Sequence, residues 1–144
     1  MKEKYMNYAL IEAEKALNEK EMPVGAVIVY NNEIIGRGYN RKEKDKNALY
    51  HAEMIAINEA CKRIGDWRLN ECEMYVTMEP CLMCMGAIIE SRIKKVYCGI
   101  SNNRFHNLNQ KIIEDNKINI EYDIVSQSSL NLLEEFFKNI RNRD

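Results

Sequence analysis

The chain has 144 residues, 46% hydrophobic and 30% charged, which predicts one folded domain and excludes a disordered or fibrous chain. Its 21 basic and 22 acidic residues leave a formal net charge of −1, which excludes a globally basic nucleic-acid binder but not a local basic patch. No apolar run approaches the about 20 residues of a membrane helix, and the N-terminal Met1-Lys2-Glu3-Lys4-Tyr5 does not read as a signal peptide, so a cytoplasmic location is expected.

Residues 2–21 place Tyr5, Tyr8, Ala9, Leu10, Ala13, Ala16 and Leu17 at helical spacing, and Pro23 ends that helix. Val24 to Tyr30 is apolar and β-branched, as a buried strand would be. Asn31-Asn32 is a turn signal, and Glu33 to Tyr39 reads as the returning strand of a hairpin. Asn40 to Asn47 is a charged loop. His51 to Ile64 predicts a helix closed by Gly65 and Asp66, with Ala52, Ile55, Ala56 and Ala60 on its apolar face. Glu73 to Thr77 reads as a strand, Cys81 to Ser91 as a helix and Lys95 to Ile100 as a strand. Residues 101–119 are rich in Asn and carry no clear period. Glu121 to Val125 reads as a short strand, and Ser128 to Arg141 as an amphipathic helix with Leu132, Leu133, Phe136, Phe137 and Ile140 apolar. The alternation predicts an α/β fold, one sheet with helices on both faces.

The five cysteines are Cys61, Cys72, Cys81, Cys84 and Cys98. In a cytosolic chain their spacing points to metal or catalysis before disulfides. Cys81 and Cys84 stand three apart at a helix start, on one helical face and near enough to share a metal. Helix N-termini favour thiolate there. His51, at another helix start, supplies a third ligand, and two thiolates with a neutral imidazole balance Zn²⁺. Three protein ligands leave the fourth position open to water, acidified toward a pKa of about 7. Glu53, two residues from His51, can face the site without ligating, take the water proton and return it to a ring nitrogen and a leaving amine. Hydrolytic deamination of an aromatic base needs this set.

His51-Ala52-Glu53 with Pro80-Cys81-Leu82-Met83-Cys84 resembles the signature of the zinc-dependent nucleobase and nucleoside deaminases. The resemblance extends through Pro23-Val24-Gly25-Ala26-Val27, Gly36-Arg37-Gly38-Tyr39-Asn40, Trp67-Arg68-Leu69, Tyr75 to Cys81, Gly86-Ala87, Ser91-Arg92-Ile93 and Leu132-Leu133-Glu134-Glu135-Phe136-Phe137. Within the superfamily it is most similar to the bacterial tRNA-specific adenosine deaminases. That resemblance implies a three-layer α/β/α sandwich around a mixed five-stranded sheet (cytidine deaminase-like), one zinc per chain and a homodimer. It implies conversion of the wobble adenosine of a tRNA anticodon stem-loop to inosine, with no DNA or membrane partner. It also implies that Asn40 contacts the flipped adenosine, that the backbone at Ala52 lines the base pocket, and that Phe137 with Lys138, Arg141 and Arg143 meets the anticodon loop. The chain departs from the family at Leu49-Tyr50, where Tyr50 is expected to reshape the pocket mouth. It departs again at Ser101 to Asn116, which lacks the expected Gly- and Ala-rich stretch.

Plainer readings stand beside these. Cys61, Cys72, Cys98 or His106 is available as a fourth ligand, which would close the site and make it structural. Glu53 alone reads as a solvated helix-start acid. Arg41-Lys42-Glu43-Lys44-Asp45-Lys46 is a solvated loop that is also placed to meet phosphate. A deaminase of a free base or nucleoside, of guanine or cytosine type, is the nearest alternative function, and a non-catalytic zinc protein a more distant one.

Overall fold

The computed structural model describes residues 1–142. In chain order the elements are α1 (Lys2–Asn18), β1 (Gly25–Tyr30), β2 (Glu33–Tyr39), α2 (Ala52–Ile64), β3 (Glu73–Met78), α3 (Leu82–Glu90), β4 (Lys95–Ile100), α4 (His106–Asn116), β5 (Asn119–Glu121) and α5 (Ser126–Arg141). The strands form one sheet in the order β2-β1-β3-β4-β5. β1 pairs antiparallel with both β2 and β3, whereas β3–β4 and β4–β5 are parallel. The expected mixed five-stranded sandwich is therefore what the chain forms.

Residue alternation divides the core. Ala26, Ile28, Met74, Val76, Val96 and Cys98 face α2, α3 and α4, where Ala52, Ala56, Ala60, Met85, Ile88 and Ile113 meet them. Val27, Val29, Tyr75 and Tyr97 face the other way, onto Tyr5, Met6, Ala9 and Leu10 of α1. Both Asn31 and Asn32 have positive φ, 52° and 63°, as a two-residue hairpin turn requires. Gly65 ends α2 in the left-handed region at φ 77°. Among the described residues no helix is long and apolar enough to cross a membrane.

Two elements differ from expectation. The Asn-rich stretch contains α4, whose buried members are only Asn109 and Ile113, so its apolar period is too thin to read. The last strand is Asn119–Glu121 rather than Glu121 to Val125, because Asp123 and Val125 take positive φ, 62° and 51°, and leave the extended region.

Contacts between backbones, not large side chains, set α2 on the sheet. A Cβ at Gly38 would lie 2.2 Å from the Ala52 carbonyl oxygen, and one at Gly36 2.3 Å from that of Ala56. Only glycine on β2 lets the helix come this close. At the far end of α2, Trp67 stands half-exposed with the Arg68 and Arg92 guanidinium groups 4.5 and 5.3 Å from its ring centroid.

Candidate active site

Two helix starts converge. His51 is the N-cap of α2 and Cys81 the N-cap of α3, both extended, and neither side chain caps its own helix. Both side chains are thereby free to turn toward each other. His51 Nδ1 lies 3.6 Å from Cys81 Sγ and 3.7 Å from Cys84 Sγ. One donor atom from each of the three falls within 4.8 Å of the others. A tetrahedral zinc with Zn–S of about 2.3 Å and Zn–N of about 2.0 Å holds nitrogen and sulfur about 3.5 Å apart, so the donor set fits that ion. Among the described residues, none of Cys61, Cys72, Cys98 and His106 joins the cluster, which leaves three protein ligands rather than a closed four.

The three groups and Glu53 interact electrostatically. The hydrogen bond with Cys84 pulls the Cys81 thiol down to about 4, and the same bond, with burial, holds Cys84 far above the usual thiol range. The hydrogen bond with Cys81 raises His51. Glu53, in the first turn of α2, is 4% exposed. Burial pushes its carboxyl up to about 7, within reach of proton exchange near neutrality. It is not the solvated acid that its position alone suggests.

These groups floor a cleft of about 390 Å³. His51, Ala52, Glu53 and Cys81 lie at its base, with Asn40 and Met22 on one wall and Asn102, Arg104 and Phe105 on the other. Lys20, Lys42 and Arg104 line it beside the exposed Glu43, while the other acids of the lining, Glu21, Glu53 and Glu79, are buried. Two other cations of the 41–46 run are occupied: Arg41 pairs with Asp45 at 3.0 Å and Lys44 with Glu19 at 2.5 Å. Asn40 lines the cleft with its amide donating to the Met22 carbonyl at 3.4 Å, while its Oδ1 accepts from the Lys42 N–H at 3.2 Å.

The structure does not bring every expected residue here. Phe137 is 43% exposed and does not line the cleft; its neighbour Phe136, buried, does. Tyr50 is exposed and lies outside the lining. Lys138 and Arg141 lie on the exposed side of α5, and Arg143 falls outside the described residues.

Two buried glutamates of the cleft lining were not singled out by the sequence. Glu21 accepts from the backbone N–H groups of Glu43 at 3.1 Å and Lys44 at 2.6 Å, fixing the loop that carries Lys42. Glu79, directly before Pro80-Cys81, is likewise buried. The available signal was placement: each acid directly adjoins an apolar, Pro-containing segment of the site, where a solvated acid has no room.

The profile of the cytidine and deoxycytidylate deaminase zinc-binding region matches residues 1–100. The tRNA-specific adenosine deaminase of Streptococcus pyogenes serotype M1 is 43% identical over 145 residues, covering 96% of this chain and 85% of that protein. That of Bacillus subtilis (strain 168) is 38% identical over 147 residues, covering 98% and 91%. A structure solved in studies of A-to-I editing by tRNA:A34 deaminases at the wobble position of transfer RNA matches with a TM-score of 0.83 and 30% identity, over 90% of this chain and 98% of that one.

Proposed function

We propose that this chain, which belongs to the cytidine and deoxycytidylate deaminase family, hydrolyses the wobble adenosine of tRNA to inosine. The observation that carries the reading is the convergence of His51, Cys81 and Cys84 beside a buried Glu53 in one cleft. Similarity to tRNA-specific adenosine deaminases over nearly the whole chain supports adenosine in tRNA over a free base.

His51, Cys81 and Cys84 hold one zinc per chain. When bound, zinc supplies Lewis acidity that brings the pKa of a water toward neutrality. Glu53 moves the protons. It takes one from the water as the new C6–O bond forms, gives it to N1 of the purine, and carries a second to the exocyclic nitrogen as the C6–N6 bond breaks. Adenosine and water become inosine and ammonia. Asn40 holds the purine edge, its amide exchanging present partners for base contacts. The backbone at Ala52 lines the base pocket, and Phe137 with the basic end of α5 meets the anticodon loop. The protein acts as a homodimer in the cytoplasm, its residues 1–144 forming one deaminase domain.

The test is inosine formation in a transcribed tRNA with adenosine at the wobble position, using zinc-loaded protein in excess. Inosine at that position alone is the expected result. No inosine, together with turnover of free guanine or cytosine, would overturn the tRNA reading while keeping the deaminase.

A further inference from the structure

We propose that Glu79 is a positioning residue that locks the metal-binding turn to the segment presenting Arg104 and Phe105 at the cleft mouth, and so sets how that wall meets RNA. The inference rests on the tRNA reading above for what fills the cleft, but not for the hold itself.

Glu79 is wholly buried, yet its carboxylate is fully engaged. Oε1 accepts from the Asn102 backbone N–H at 3.1 Å and from His106 Nδ1 at 2.8 Å. Oε2 accepts from Asn109 Nδ2 at 3.0 Å and from the Tyr122 hydroxyl at 3.4 Å. Burial keeps the Tyr122 phenol protonated, at about 12, so it remains a donor. Asn109 Nδ2 donates its other hydrogen to the Pro80 carbonyl at 2.8 Å. Both of its partners are acceptors, which fixes the amide orientation and leaves Asn109 Oδ1 without a partner among the described residues. Pro80 immediately precedes Cys81. One carboxylate thus joins the turn carrying a metal ligand to both ends of the segment from Asn102 to Asn109.

That segment carries the wall. Arg104 lies over the Phe105 ring at 4.8 Å, and both line the cleft. The buried member of this first part of α4 is Asn109, a polar side chain. The grip is polar and runs through Glu79. A guanidinium stacked on an aromatic ring at a cleft mouth suits a nucleotide flanking the reacting base, one group for phosphate and the other for a base face.

Glu79→Gln tests this. Its amide nitrogen must face either the Asn102 N–H or the Asn109 amide, so either orientation sets donor against donor. The first readout is amide hydrogen exchange of residues 101–106 in zinc-loaded protein, which needs no activity. Exchange there should quicken with bound zinc retained. The second is kinetics on wobble-adenosine tRNA: KM should rise about tenfold or more, with a smaller loss in kcat. Phe105→Ala should cost much less in the Glu79→Gln background than alone, because the wall is already released. His106→Ala, at a part-exposed site, should reproduce a fraction of both effects if Glu79→Gln does not fold. Unchanged exchange in residues 101–106, additive losses, or loss of zinc and kcat with KM unmoved would each overturn the proposal. If the parent protein forms no inosine, the tRNA reading fails, and the exchange measurement still decides the hold.

Discussion

Gly38→Ala should displace a metal ligand from a position outside the site. The new Cβ would lie 2.2 Å from the Ala52 carbonyl oxygen and 2.9 Å from the Ala56 nitrogen, whereas ordinary contact begins at 3.4 Å. A gap of about 1.2 Å (3.4 less 2.2) must open, and both obstacles are backbone, which cannot rotate aside. Ala52 begins α2 and His51 caps it, so the shift reaches the imidazole, now 3.6 and 3.7 Å from the two sulfurs. Overpacking of this kind costs about 1–3 kcal/mol. Disturbed ligand support lowers metal affinity by about 10–100-fold. Zinc competition against a chromophoric chelator reads the second effect, and thermal melting of the zinc-free protein the first. Weakened zinc binding with an intact fold is expected. Lost stability with zinc affinity unchanged would refute the reasoning, since it would mean that the edge strand β2 yields and α2 stays.

Glu53→Gln should keep zinc and lose about 10²–10⁴-fold in kcat; metal analysis beside single-turnover inosine assays checks it, and loss of zinc would point to a ligand role. Because Glu53 must be ionised to take the water proton and burial raises its carboxyl to about 7 in the metal-free protein, kcat/KM should fall as pH drops through the carboxyl's pKa. A bound cation moves the inflection lower, and a flat acidic limb would remove Glu53 as the base. Asn40→Ala should lower kcat/KM with metal content unchanged; undiminished turnover would take Asn40 out of the site. Ile88→Ala, at a fully buried position of α3, should cost about 2–5 kcal/mol by chemical denaturation, and a loss well under that range would mean the neighbouring side chains collapse into the space.

The His/Cys/Cys cluster was legible because its pattern is local: His51 and the Cys81/Cys84 pair each stand at a helix start that Gly, Pro and apolar spacing mark out. The sheet was legible because β1, β3 and β4 are buried on both faces and read as continuous apolar runs. α4 was not, because polar bonds to Glu79 hold its first turns, and periodicity registers only apolar burial. Phe136 and Phe137 share an apolar signal that leaves helical phase open by one residue. The choice between them rests on how α5 lies across the sheet, which only tertiary packing fixes.

Trp67, the chain's one tryptophan, makes the protein its own optical probe. α2 has 13 residues, so about 20 Å of helix separates the indole from the His51 end. Its emission is set by two guanidinium neighbours and by water, and hardly at all by events in the cleft. Filling the cleft should leave the spectrum in place, while any subunit or partner that covers the far end of α2 and α3 should shift it to the blue. One titration in the fluorimeter therefore separates association at that end of the molecule from occupancy of the cleft, with no label attached.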